Sequence, residues 1–385
     1  MVRTELTSIQ IRKVAEDLRG YTCDALAGKE LYSDPKAMAL AKKRIKEAEI
    51  VFTTCIGSAI GLLRTQEFQI VIVDEASQQT EPASLVPLVK GCSKAILVGD
   101  HVQLRPTVQQ YALSVGFDVS LFERLYTGAP AATEDDHRKN NPDMNGVRRL
   151  MLDTQYRMHP LVGAFSSEEF YEGKLKTGIT AESRPLFASR FPWPKVQSTD
   201  TGATEYHRTV FVECGAKEKP GQKSKENEGQ ALLCAHICKL LTQAAEGPPP
   251  QTPPADKRRN LTADPQSIAV LTPYARQAEL LRRYLSVFPE VEVSSIDGFQ
   301  GREADVVVFG TVRCNERGEI GFLRDLRRMN VVLTRARCGL VVVGHGDTLK
   351  GGEEEESTGM WRRLMDGLAS VAIETPDLSA GRKEG

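Results

Sequence analysis

The feature that most constrains this chain is a repeating pattern. Short apolar, β-branched runs stop at a small or acidic residue and give way to helical stretches. IVFTT (50–54), IVIVDE (70–75) and AILVGD (95–100) are of this kind. Runs that are apolar at every position predict buried parallel strands, with ligands bound beyond their carboxyl ends. Periodicity disappears over 127–146 (TGAPAATEDDHRKNNPDMNG), and a second series then begins. Its members are RRLMLDT (148–154), TVFVEC (209–214), SIAVLTP (267–273), EVSSID (292–297), ADVVVFGTV (304–312) and LVVVG (340–344). Two polar stretches, 215–227 and the Pro-rich 246–260, read as surface loops or disorder. The expected fold is α/β, with two parallel-sheet domains joined by a linker. The expected boundaries are 1–126 for the first domain with its preceding helical segment, 127–147 for the linker or insertion, 148–370 for the second domain and 371–385 for a tail.

Composition narrows the class. Apolar residues make up 41% and charged residues 26%, the balance of a soluble globular protein. The longest apolar runs are too short to cross a bilayer, and the N-terminus does not resemble a secretory signal, so no membrane partner is expected. Eight cysteines without a CxxC pair argue against a disulfide scaffold or a zinc module, and for a reducing compartment, cytoplasmic or nuclear. In CAHIC, Cys234 and Cys238 share a helix face with Leu241, as in a buried apolar stripe. The helix expected over 36–49 carries Lys42, Lys43, Arg44 and Lys46 on what reads as a solvated face. With a net charge of −1, any nucleic-acid site must be a local arrangement.

In IVIVDEAS, Asp74 and Glu75 stand at the tip of an expected strand. Two adjacent acids there are costly if buried, unless a cationic group meets them. A magnesium–nucleotide complex meets that need: Asp74 would hold Mg2+, directly or through water, and Glu75 would orient or deprotonate the attacking water. The plainer reading is a strand that ends at two solvated acids.

Further motifs follow in order: GDHVQLRP (99–106), LDTQYRMHP (152–160), SSIDGFQGREADVV (294–307) and MNVVLTRARCGLVVVG (329–344). Together with IVIVDEAS they resemble the up-frameshift and senataxin branch of the superfamily 1 helicases, over about residues 36–370. That resemblance implies two RecA-like domains that hold ATP, with single-stranded RNA or DNA running across both and translocation from 5′ to 3′. It implies Gln103 as the sensor of the terminal phosphate, and Arg157 and Arg335 as arginines sent to the nucleotide by the second domain. A guanidinium suits that task, being permanently charged, planar and able to offset charge spreading over phosphate oxygens. Gly301 and Glu303 in FQGRE match positions at the nucleotide. Thr53, Thr54 and Ser58, then Thr272, Pro273 and Tyr274, then Ser295 and Asp297 match strand-end contacts to nucleic acid. Contacts of that kind grip the backbone and carry little base information. Strand-end capping by hydroxyls is the plainer reading for the Thr and Ser positions.

The pattern departs from the family in three places. Arg105 occupies a position where relatives commonly carry a smaller residue, which predicts an altered interdomain contact there. Cys338 follows Arg337 where an aromatic or basic residue is frequent. No stretch fits G-x-x-x-x-G-K-[ST], the loop whose amides and lysine cradle phosphates; GAKEKPGQKS (215–224) is only a near miss. The first domain is therefore expected to be incomplete, lacking the strand that leads into that loop. That strand is placed between the one ending at Asp74 and the one ending at Asp100. The expected function is an ATP- and Mg2+-dependent helicase core, a fragment or shortened product inactive alone. The alternative is an ATPase-deficient module that binds nucleic acid or a protein partner.

Overall fold

The structure, a computed structural model, describes residues 35–127, 147–197, 204–219, 224–244, 267–351 and 356–373. All but the two end residues of the expected linker, the Pro-rich loop, the centre of the near-miss segment 215–224 and nearly all of the expected tail lie outside the described residues. The chain divides into two compact units, Met1–Arg149 and Leu150–Gly385.

In the first unit, helix α1 (Pro35–Glu47) buries Ala37, Ala41 and Ile45 at i, i+4, i+8 spacing. Lys42, Lys43, Arg44 and Lys46 point to solvent, so the basic face is solvated. Strand β1 (Ile70–Val73) pairs in parallel with β2 (Lys94–Leu97), linked by α2 (Glu81–Leu88). Ile72 stands directly opposite Ile96 in this register, which leaves no room for a strand between them. The phosphate-loop strand expected between them is not among the described residues, and in its absence the two strands pair directly. Residues 50–54 are also not a strand: they run as irregular backbone with Ile50 and Phe52 exposed. The β1–β2 sheet contains two strands and offers this apolar run no pairing edge that it occupies. Val71 and Val73 are buried, whereas Ile70 and Ile72 on the opposite face are 61% and 65% exposed. Each such side chain forgoes roughly 1.5–3 kcal/mol of burial.

The second unit is built on a six-stranded, wholly parallel sheet. β3 (Thr154–Gln155) and β4 (Lys176–Thr177) form a separate two-residue pairing, with α3 (Pro160–Tyr171) between them. The sheet itself comprises β5 (Thr209–Glu213), β6 (Ile268–Thr272), β7 (Val291–Ser295), β8 (Ala304–Gly310), β9 (Ala336–Gly344) and β10 (Ala369–Val371), in the order β10-β5-β9-β8-β6-β7. Central β8 and β9 are buried along nearly their whole length, which is why their sequence reads as an unbroken apolar run. Helix α4 (Glu228–Thr242) packs Leu233, Cys234, Ile237, Cys238 and Leu241 against this sheet, and burial raises both thiol pKa values. Its N-cap Asn227 accepts from Gln230 N at 3.0 Å and donates to Val312 O at 3.0 Å, fixing the helix start to the end of β8. The run 148–154, expected as a sheet strand, contributes only Thr154 to β3; Leu150 and Leu152 are exposed.

Candidate nucleotide and nucleic-acid sites

In the first unit, β1 delivers Asp74 and Glu75 to a tight turn. Glu75 lies in the left-handed region at φ 51°, a conformation that costs an L-residue about 1–2 kcal/mol. Hydrogen bonds hold the turn in place. Ala76 N donates to Val98 O at 2.8 Å, and Asp100 N donates to Ser77 Oγ at 3.2 Å, joining the tips of the two strands. A Cβ on Gly99 would stand 2.8 Å from Ser77 N, so this junction requires glycine. Gln78 donates its side-chain amide to Glu75, and Glu75 N donates to Asp74 Oδ1 at 3.0 Å. Both acids are exposed, so the burial cost argued from the sequence does not arise. As exposed hard oxygen donors, they have the chemistry that Mg2+ selects.

Gln103 stands at the neighbouring strand end and donates through Nε2 to Asp100 Oδ2 at 2.7 Å. Asp100 Oδ1 accepts Val102 N at 3.1 Å, so one carboxylate shapes the whole GDHVQ turn. Arg105 is explained within the unit: its guanidinium bonds Asp118 at 2.9 Å and makes two bonds to buried Glu123, one of them at 2.8 Å. The Glu123 hydrogen bond is the largest cause that holds its pKa above the ordinary arginine value, and with Asp118 it outweighs the opposing effect of partial burial.

Thr53 and Thr54 turn their hydroxyls toward Gly57, where a Cβ would meet each at 2.7 Å. Thr54 Oγ1 accepts Gly57 N at 3.0 Å. Ser58 is fully buried and donates to Cys55 O at 2.6 Å, a capping role. The Lys90 ammonium donates to the carbonyls of Ser58 and Leu63, pinning this pair of short turns.

The second unit carries two clusters at different places on its sheet. At the N-terminal ends of β8 and β9, Arg157 donates through Nε to Glu303 Oε2 at 2.7 Å and through Nη1 to Thr334 O at 3.1 Å. Arg335 meets the same threonine, with Nη2 2.9 Å from Thr334 Oγ1, and donates through Nε to Val331 O at 2.9 Å. It is 2% exposed, unlike Arg157. Arg337 lies 3.7 Å from Glu303 and 3.6 Å from Asp305. The sequence reading did not assign it, although the second arginine of LTRAR was its visible signal. Gly301 turns the chain just before Glu303 at φ +73°, a conformation that favours glycine.

The turn that presents Arg157 is strongly organised. Gln155 Oε1 accepts from Arg157 N at 2.8 Å and Met158 N at 2.7 Å. Arg184 donates to the carbonyls of Arg157 and Tyr156 at 2.8 and 2.9 Å. His159 caps α3 by accepting Leu161 N at 3.1 Å on Nδ1. Burial, reinforced by the charge of Arg208, lowers its pKa to about 4.

At the C-terminal ends of β6 and β7, Thr272 and Ser295 are direct register partners. Thr272 is fully buried, and its hydroxyl has no hydrogen-bond partner among the described residues. Ser295 Oγ accepts Gly298 N at 3.1 Å. Tyr274, next to Pro273, is buried and lies 3.4 Å from the guanidinium of Arg313. Asp297 is ion-paired to Arg328 at 3.0 and 3.1 Å, so its charge is already met within the unit. Arg313 and Arg328 escaped the sequence reading. Residues 295–303 connect the two clusters along the chain.

The profile of a family described as an AAA domain matches residues 117–347, and a second profile with the same description matches residues 12–110. The chain belongs to this family, in its superfamily 1 branch of the up-frameshift type. A regulator of nonsense transcripts 1 homolog from Drosophila melanogaster is 33% identical over 361 residues, covering 90% of this chain and 27% of the relative. ATP-dependent helicase NAM7 from Saccharomyces cerevisiae is 35% identical over 314 residues, covering 79% of this chain and 28% of the relative. ATP-dependent helicase upf1 from Schizosaccharomyces pombe is 32% identical, covering 81% and 30%. The chain thus spans less than a third of the length of these relatives.

Proposed function

We propose that this chain carries the reactive groups of an ATP-dependent motor that moves along single-stranded RNA or DNA. The observation that supports this best is the cluster of Arg157, Glu303, Thr334 and Arg335. Two arginines meet there on one threonine, within the residues 117–347 matched by the AAA-domain profile. Asp74 would hold Mg2+, Gln103 would read the terminal phosphate, and Glu75 would orient or deprotonate water. The bound metal supplies charge neutralisation at the phosphates. Arg157 and Arg335 would take up charge that spreads onto phosphoryl oxygens as the bond to the leaving group lengthens. Thr53 and Thr54 in the first unit, and Pro273 and Ser295 in the second, would each offer contacts to a strand, whereas Thr272 and Tyr274 are buried and would act only by shaping the ends of β6 and β7. The protein is proposed to work in the cytoplasm or nucleus; no helix among the described residues is long and apolar enough to cross a membrane.

Hydrolysis on this reading also needs a phosphate-binding loop, and no stretch of the 385 residues fits G-x-x-x-x-G-K-[ST]. The chain by itself is therefore proposed to bind single strands without turning over ATP. The burial of Arg335 favours a second reading, a binding module that does not hydrolyse ATP in any context. Titration of labelled single strands and duplexes at several salt concentrations tests the binding half. Single strands should bind better, with little sequence preference, and affinity should fall steeply with salt as phosphate contacts release counterions. A salt-independent affinity would contradict it.

A further inference from the structure

We infer that Phe322 is a stacking platform for a base of single-stranded nucleic acid, an inference that rests on the nucleic-acid reading above. Phe322 is 49% exposed in a short turn, Gly321–Arg324, on the connection from β8 to the helix α5 (Leu326–Leu333). Its exposure is not a failure of packing. The next residue, Leu323, is fully buried, and its carbonyl accepts the indole N–H of Trp361 at 3.1 Å. One side chain anchors the turn while its neighbour is held out in water.

The surroundings define what this ring faces. The Tyr274 ring lies 5.3 Å from it, and the Arg328 guanidinium carbon lies 5.7 Å above it. Arg328 is fixed by Asp297, and Tyr274 contacts Arg313. Phe322 therefore sits beside Tyr274, two residues past the end of β6, and beside the Arg328–Asp297 pair, whose Asp297 lies two residues past Ser295 at the end of β7. Gly321 makes the placement possible: φ is +58°, and a Cβ would meet Arg313 Nη1 at 2.2 Å and Tyr274 Oη at 2.7 Å. Arg313 is held by Glu218 at 2.9 Å and follows Val312, a β-branched residue at φ 71°. Backbone strain of that kind persists where the surrounding structure enforces it. A half-exposed aromatic ring with a partly exposed guanidinium, Arg328, over its face has the composition of a sequence-tolerant single-strand site. A neutral amino-acid surface would need none of the cations, and a phosphate alone would need no ring.

The test uses the 385-residue chain, a fluorescent single-stranded oligonucleotide, and the same backbone with its bases replaced by abasic sites. Phe322→Ala should weaken binding to the base-bearing strand by about 10-fold, the scale of one base–aromatic contact, and should leave abasic binding unchanged. Phe322→Trp should keep the affinity. Its new indole emission should be quenched by the base-bearing strand only, because Trp193 and Trp361 are buried. Equal affinity of parent and Phe322→Ala for the base-bearing strand, or indole quenching by the abasic strand, overturns the assignment. Failure of the parent to bind either strand removes the underlying nucleic-acid reading as well.

Discussion

Arg157 and Glu303 neutralise each other through a 2.7 Å ion pair, although the family resemblance assigns both to the nucleotide. The pair is partly exposed, so it is worth at most about 1 kcal/mol. A phosphate offers the same guanidinium a stronger, bidentate partner. The pair contributes little to stability, and on the proposed reading it would hold Arg157 until a phosphate takes its place.

Glu303→Gln should consequently shift the melting temperature by no more than a few degrees, on the scale of about 1 kcal/mol. In a chain that includes a phosphate loop, Arg157→Ala and Arg335→Ala should each lower turnover by roughly 10²-fold or more. Lysine should rescue Arg157 poorly, since an ammonium cannot reproduce the planar fork. Turnover measurements on the lysine variants decide this, and full rescue would show that only charge matters.

Glu75 presents a conflict between backbone and chemistry. Its left-handed φ favours glycine, yet its carboxylate is the proposed water-orienting group. Glu75→Gly should fold with equal stability or gain up to about 1 kcal/mol, while Glu75→Ala should gain nothing. In a chain that turns over ATP, Glu75→Gln should abolish hydrolysis and spare nucleic-acid binding. Thermal melts and phosphate release read the two effects separately. Turnover of the Gln variant within about threefold of the parent would remove Glu75 from the reaction.

His159 gives a prediction in pH. Its folded pKa lies near 4, below the ordinary value of 6.5, because burial and Arg208 disfavour the imidazolium. The folded state thus prefers the neutral ring, whose Nδ1 accepts Leu161 N. This contribution is fully present above about pH 6.5 and is lost as pH falls toward 4, up to about 3 kcal/mol. His159→Asn keeps a capping acceptor but cannot titrate. Between pH 7 and pH 4, the melting temperature of the His159→Asn variant should fall less steeply than that of the parent. Identical slopes would contradict the shift.

The strands of the second unit were legible because β8 and β9 are buried on both faces and so apolar throughout. The runs at 50–54 and 148–154 look the same in sequence. A strand needs a neighbouring edge, however, and no one-dimensional pattern reports that the β1–β2 sheet leaves 50–54 unpaired. The family resemblance singled out Arg157 and Arg335 but could not show that Arg335 is buried on carbonyls while Arg157 is paired to a carboxylate. Arg313, Arg328 and Phe322 went unassigned because their roles arise from contacts with residues far away along the chain, Tyr274 and Asp297.

On the proposed reading, this chain carries a motor's arginines and carboxylates and its strand contacts without a loop to cradle the phosphates. The most direct measurement is phosphate release by the purified 385-residue chain, with saturating ATP, Mg2+ and single-stranded RNA or DNA. The strand should bind while turnover stays below about 1 s⁻¹, the lower end of typical enzyme rates. Turnover above that value, abolished by Glu75→Gln, would contradict it and show that another segment of this chain cradles the phosphates.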